Sequence, residues 1–247
     1  MATIPSLKIT HALASHGESN NPVYPQKNLL PFWASLFDLW LEVTRPWPGS
    51  AVGGQTDEVT LWLKQHDGTF VVVEKWKLRG LITFPLNLKL PHRYLVDGVS
   101  EMYFEVVTHD GTKHESEPVF FTIDPRVPLG DATPGEPLVP EEITSGPGVT
   151  IGYLKAHCHV VQIGIPAYTG CQYGDTAHVT FGPPNAPVVA VILIDPLADK
   201  TVVALPAHIF ERDGSGVRLM YYRIYSRAGV ASKESKGKFI KVNFPPV

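Results

Sequence analysis

The stretch from Met102 to Ile123 reads MYFEVVTHDGTKHESEPVFFTI, and the stretch from Met220 to Val242 reads MYYRIYSRAGVASKESKGKFIKV. Each opens on a run of aromatic and β-branched residues of the kind that half-buried strands use. Each then passes through a glycine turn and returns in a second apolar-rich run. In the first, Asp110-Gly111 supplies the positive φ that a tight hairpin needs. The second keeps Gly229 but lacks the Asp. Met102 falls with Met220, Tyr103 with Tyr221 and Gly111 with Gly229, so the same hairpin is written twice.

Working outward, GQTDEVTLWL from Gly54 matches GDTAHVTFG from Gly174 at an offset of 120 residues. That offset pairs Val59 with Val179, Thr60 with Thr180, Leu61 with Phe181 and Pro46 with Pro166. KLPHRYL around Pro91 resembles ALPAHIF around Pro206. The three matches keep their order along the chain, which predicts a duplicated domain. The period is far too long for a solenoid repeat, whose units run to about 20–50 residues. It has the size of a self-standing domain.

Side-chain character alternates with period two inside the copies. Val59, Leu61 and Leu63 fall on one face of a strand, Thr60, Trp62 and Lys64 on the other. Turn signals recur about every 8–12 residues, the rhythm of a β-sandwich of about seven strands. The 23 prolines and 21 glycines are spread along the 247 residues, which also favours short strands over long helices. The expected fold is all-β: two tandem immunoglobulin-like sandwiches over 25–124 and 147–247, an extended N-terminal arm over 1–24, and a linker over 125–146. The Pro- and Gly-rich run from Asp124 to Gly148 has no periodic apolar face and reads as that linker.

At these residues the chain resembles tandem bacterial immunoglobulin-like domains of the fibronectin type III kind, which recur in surface and adhesion proteins. The resemblance rests on Gly174-Asp175-Thr176 leading into Val179-Thr180, then Leu205-Pro206, then the closing hairpin. Domain one departs from it, with Gln55 at the Asp position. The resemblance implies a binding, adhesion or spacing role and brings no catalytic residues with it.

The bulk numbers agree with a globular protein. Hydrophobic residues make up 44% and charged residues 18%, and the net charge of −3 gives no reason to expect nucleic acid. No apolar run approaches the ~20 residues of a membrane-spanning helix. The start lacks a basic segment followed by an apolar core, so no cleavable leader is expected, and a cytoplasmic location and export by a leaderless route both stay open. Neither a P-loop, G-x-S-x-G, GxGxxG nor H-E-x-x-H occurs. An enzyme and a cofactor are therefore not expected.

Three local patterns invite a functional reading. His157-Cys158-His159, read as a strand, puts both imidazoles on one face, where His178 could supply a third metal ligand. The plainer reading is a solvated polar face. Cys158 near a strand start and Cys171 in the following turn are too far apart to bridge, and both are expected as free thiols. The last hairpin carries Arg223, Arg227, Lys233, Lys236, Lys238 and Lys241 against Glu234, the usual guard of an exposed edge strand, with an anionic partner as the alternative.

All five tryptophans (Trp33, Trp40, Trp47, Trp62 and Trp76) lie in domain one. Alternation puts Trp40 on the outer face with Asp38 and Glu42, and Trp62 on the outer face of the next strand. If those strands pair, one face presents two indoles. The candidate ligand-binding residues are Trp40, Trp62 and Trp47 with Asp38 and Glu42, and Asp57 as a further acceptor. The expected partner is a protein or a cell-surface glycan. Against this stand an intramolecular role, with the arm or linker covering the face or the indoles filling the core, and a purely structural spacer.

Overall fold

The computed structural model describes residues 3–4, 6–16, 24–183, 185–212 and 214–244. It separates into two compact units, Met1–Pro125 and Arg126–Val247.

In the first unit the strands are β1 (Thr3–Ile4), β2 (Lys8–Ile9), β3 (Leu39–Val43), β4 (Thr56–Lys64), β5 (Phe70–Arg79), β6 (Leu86–Leu90), β7 (Gly98–Val107), β8 (Lys113–Ser116) and β9 (Val119–Ile123). One sheet runs β1-β8-β7-β4-β5 with β9 also on β7; the other runs β2-β3-β6. The inward residues of the alternating strands meet between them: Leu39, Leu41, Leu88 and Leu90 from one sheet, and Val59, Leu61, Phe104, Val106 and Phe121 from the other. The expected strand-to-strand alternation is therefore what closes the core.

The second unit carries helix α1 (Glu141–Thr144), β10 (Val149–Thr150), helix α2 (Ile151–Ala156), β11 (Val160–Pro166), β12 (Thr176–Gly182), β13 (Val188–Leu193), β14 (Lys200–Pro206), helix α3 (His208–Glu211), β15 (Gly216–Tyr225), β16 (Ala231–Glu234) and β17 (Lys238–Asn243). Its sheets run β10-β17-β15-β12-β13, with β16 on β15, and β11-β14. Both units thus place their third long strand, β5 and β13, beside the second on the larger sheet and send the fourth, β6 and β14, to the smaller one, the fibronectin type III arrangement of the immunoglobulin-like sandwich. The fold is two such sandwiches in tandem.

The hairpins match closely. Thr108 and Ser226 each donate their N–H to the carbonyl four residues on, Thr112 and Val230, around Gly111 (φ 84°) and Gly229 (φ 88°). A serine then splits the last strand in both: Ser116 Oγ accepts the Phe104 N–H and donates to Glu117 O, while Ser235 Oγ accepts the Tyr222 N–H and donates to Lys236 O.

The strand register corrects the alignment. Leu63 pairs Met102 and Phe181 pairs Met220, so the offset across β4 and β12 is 118, the same as across the hairpins. The apparent 120 is a slip of two residues. Period two makes such a slip invisible, since it keeps every side chain on its own face. At the true offset Asp57 corresponds to Asp175, and domain one has its Asp after all.

Two segments expected to lie outside the sandwiches are built into them. The N-terminal residues supply β1, parallel to β8, and β2, antiparallel to β3. The proline-rich run leans on the second unit: Leu138 and Gly164 exchange backbone hydrogen bonds at 2.8 Å, and the Lys236 N–H reaches Pro134 O. It lacked a period because it follows a sheet edge through isolated contacts and does not share a face. The basic hairpin is partly neutralised by it, through Lys238–Glu136 at 3.0 Å and the Lys233 ammonium on the Asp131 carbonyl. Nor is β17 an open edge, since Val149–Thr150 pairs alongside Val242 and Asn243.

Candidate functional site

The sequence residues proposed as a site divide three ways. Trp47 is 2% exposed, and its Nε1–H donates to Asp57 Oδ2 at 2.8 Å. Asp57 is fully buried and also accepts the N–H groups of Ala51 and His109. Asp175 does the same work in the second unit, taking the Tyr168 hydroxyl at 2.5 Å, the Gln172 N–H and the Arg126 guanidinium. Burial and that hydrogen bond push the Tyr168 hydroxyl pKa far above the ordinary phenol range. Trp47 and Asp57 therefore hold the loop before β4 and are closed to a ligand.

Trp40 and Trp62 lie on different sheets. β3 pairs with β2 and β6, whereas β4 pairs with β5 and β7, so the chain crosses the sandwich between them. The two-indole face does not exist. Trp62 instead joins Tyr103, stacked at 6.1 Å between centroids, and Phe70 meets Tyr103 edge-on at 5.0 Å. The Lys64 ammonium sits over Phe70 and pairs with Glu101. Trp62 Nε1 is buried with no hydrogen-bond partner among the described residues. Burial first, then Glu115 and Glu105, raises the Tyr103 pKa. This patch is half-buried and packed on itself.

Trp40 stands in different company. Pro31 leads into a one-turn 3-10 helix, Phe32–Leu36, followed by Phe37 in extended backbone. The small residues Ala34 and Ser35 turn inward, with Ser35 Oγ donating to Phe32 O. The large ones turn out: Trp33 is 54% exposed, Phe37 65% and Trp40 49%, with Phe32 and Leu36 also exposed. Trp33 rests edge-on against His11 at 5.0 Å, and Thr10 donates both its N–H and its hydroxyl to the Trp40 carbonyl. The described N-terminal residues thus support this ridge and leave its rings uncovered; residues 17–23 of the expected arm lie outside the described residues.

Charges flank it. Asp38 pairs with Lys89 at 2.8 Å and accepts the His92 N–H at 2.7 Å. The Lys89 hydrogen bond, then the His92 amide, holds the Asp38 carboxyl below its usual range. Glu42 pairs with Lys8 at 2.8 Å. Both candidate acceptors are already engaged. Phe32, Trp33, Leu36 and Phe37 were missed as a surface because PFWASLFDLW is apolar almost throughout. The two small residues within it were the available signal.

The histidine cluster is not a strand. Thr150 caps helix α2 by accepting the Tyr153 N–H on Oγ1, and His157 ends it. Cys158 and His159 follow in the left-handed region, at φ 53° and 61°. The alternation that aligned His157 with His159 is therefore absent. His157 stacks on Tyr153 and faces Glu142 at 3.4 Å, beside a cleft of about 800 Å³ that Cys158 also lines. His178, on β12, packs against Tyr225, and burial lowers its pKa. Among the described residues no group of three or more His, Cys, Asp or Glu side chains is placed to hold a metal. Cys158 and Cys171 are free thiols.

No family model and no curated protein sequence matches the chain. Solved structures do. A Ca²⁺-stabilised ice-binding adhesin of an Antarctic bacterium matches at 14% identity and a TM-score of 0.39, over 100% of this chain and 51% of that one. The fibronectin(III)-like modules of Clostridium thermocellum CbhA match at 12% identity and 0.44, over 96% and 93%. A two-domain fibronectin type III segment of chicken tenascin matches at 12% and 0.27, over 97% and 99%. The chain spans about half the length of the adhesin structure it matches.

Proposed function

We propose that this protein is a non-catalytic binding module that takes a protein or cell-surface partner on the ridge Phe32–Trp40. One observation carries the reading: five large apolar side chains, Phe32, Trp33, Leu36, Phe37 and Trp40, are exposed together within nine residues. A surface does not gather aromatic anchors at this density without a use, and such anchors dominate the energetics of protein interfaces. The mixture of Phe and Leu with Trp favours a protein partner. A glycan would ask for free carboxylates beside the rings, and Asp38 and Glu42 are paired with Lys89 and Lys8.

The test uses the full chain on a glycan array and on plates coated with fibronectin, collagen or laminin. Saturable binding is expected to fall at least tenfold in Trp33→Ala/Phe37→Ala and in Trp40→Ala, and to persist in Trp62→Ala. Acrylamide should quench the wild-type tryptophan emission, and the quenchable fraction should drop in Trp33→Ala/Trp40→Ala. Binding that survives the ridge variants, or that Trp62→Ala abolishes instead, refutes the assignment. The winning surface distinguishes protein from glycan.

A further inference from the structure

Strand β7 turns Ser100, Met102, Phe104 and Val106 inward, and Ser100 is the polar member of that row. It is 6% exposed, yet its hydroxyl has no hydrogen-bond partner among the described residues. Buried polar groups are nearly always satisfied, so an idle hydroxyl at the end of a core row asks for an explanation. Ser100 lines a cleft of about 540 Å³ in the first unit, together with Leu63 and Tyr94. A smaller pocket of about 170 Å³ adjoins it and shares Ser100, Gln65 and His66. The cleft falls within the roughly 300–1,000 Å³ of small-molecule sites.

The groups around Ser100 divide into engaged and idle. Lys64 pairs with Glu101 at 2.7 Å, and Asp67 accepts the Thr69 N–H and hydroxyl. Arg93 forms no ion pair among the described residues. Its guanidinium lies over the Tyr94 ring, 4.9 Å from the centroid, and Tyr94 packs against the core. Seated there, the planar fork is held ready for a carboxylate, which it takes with two parallel N–H bonds. The Gln65 amide, which lines both pockets, and the Asp97 carboxylate of the smaller one also have no side-chain partner among the described residues. Gln65, Ser100 and Asp97 together donate to and accept from hydroxyl groups. Leu63 and the exposed Val96 add apolar surface beside them.

We propose that this cleft binds an acidic sugar, a pyranose carrying a carboxylate, with the carboxylate on Arg93 and the ring hydroxyls on Ser100, Gln65 and Asp97. The combination of idle groups selects that ligand. A simple organic acid would leave Ser100, Gln65 and Asp97 unused, and a neutral sugar would leave Arg93 unused. A pyranose is polar around its rim and apolar across its C–H face, and the cleft offers both kinds of surface. The site is distinct from the aromatic ridge, since none of the five ridge side chains lines either pocket.

Two-dimensional NMR of the full chain, titrated with glucuronate, should show saturable shifts at Gln65, Tyr94 and Ser100. Glucuronate should bind about tenfold more tightly than glucose, which has a hydroxymethyl in place of the carboxylate, and than acetate, which lacks the sugar. Arg93→Lys keeps the charge and loses the fork, and should weaken binding about fivefold. Ser100→Ala should weaken it about threefold, with the circular dichroism of both variants unchanged. Saturable binding of N-acetylneuraminate in place of glucuronate, with the same dependence on Arg93 and Ser100, supports the same class of ligand. Failure of both acidic sugars to bind, equal affinity for glucose or acetate, or binding that either variant leaves intact, overturns the proposal.

Discussion

Removing the Asp57 carboxylate should unfold the first sandwich more readily than any conservative change on its surface. Three N–H groups converge on that side chain: Trp47 Nε1 and the Ala51 amide on Oδ2, both at 2.8 Å, and the His109 amide on Oδ1 at 2.9 Å. Trp47 and Ala51 are at most 2% exposed, so Asp57→Ala strands two donors that water does not reach. Each stranded buried donor costs about 1–3 kcal/mol, about 2–6 kcal/mol for the two. Deleting a buried charge gives some of that back, so a loss of about 3 kcal/mol is expected, a large share of a domain stability of about 5–15 kcal/mol. Asp57→Asn keeps one acceptor oxygen for Trp47 and Ala51 but turns an NH₂ toward the His109 N–H. It should cost about 1–2 kcal/mol. All five tryptophans lie between residues 33 and 76, so guanidinium unfolding followed by tryptophan fluorescence reports the first sandwich. A loss below about 1 kcal/mol for Asp57→Ala, or an Asn variant as damaged as the Ala variant, would refute the assignment of this carboxylate as the clasp of the loop before β4.

Two further tests probe the turns. The Asp110 carboxyl is held down to about 2, from 3.8, chiefly by the Thr108 hydroxyl and then by the Thr112 N–H. A depressed carboxyl stabilises the folded state fully above its unfolded pKa, so this turn should lose support as pH falls from about 4 toward 2. NMR titration of the Asp110 side chain should find its midpoint near 2, and a midpoint near 4 would break the account. Glycines give a graded pair. Gly54 (φ 84°) has open space around a built Cβ, whereas Gly148 (φ 92°) would set one 2.2 Å from the Lys241 carbonyl oxygen. Gly54→Ala should cost about 1 kcal/mol of backbone strain. Gly148→Ala should cost clearly more, because main chain, not a mobile side chain, stands in the way. Equal thermal shifts for the two would contradict this.

Alternation along single strands was legible from the start. Val59, Leu61 and Leu63 point inward as their spacing demands, and so do Met220, Tyr222 and Ile224. What alternation cannot carry is which sheet a strand joins. β3 and β4 read alike, each with one outward tryptophan, yet the chain crosses the sandwich between them, and Trp40 and Trp62 part company. Nor can it resolve a shift by two, which is why Gln55 first stood in for Asp57. The histidine cluster was misread for a local reason: Thr150 is a helix cap followed by Ile151 and Leu154 at helical spacing, and one turn of helix carries too little period to outweigh a neighbouring strand. The ridge was half legible. Trp40 was placed outward by its neighbours, but Phe32, Trp33 and Phe37 belong to a run with no polar face, and only the inward turn of Ala34 and Ser35 decides which side faces out.

The duplication itself separates what the fold requires from what each copy adds. At an offset of 118, Asp57 and Asp175 clasp the same loop, and Gly111 and Gly229 turn the same hairpin; one residue off that offset, Ser116 and Ser235 break the same strand. These are groups without which a buried donor is orphaned or a backbone strained, so both copies keep them. The ridge proposed for contact falls outside this shared set, and the second sandwich contains no tryptophan. If that surface were only a by-product of building a sandwich, it should recur in the other copy, because the same strand order builds both. That it appears once, on a scaffold whose strand order and hairpin turns are repeated, is what a contact role confined to the first sandwich predicts.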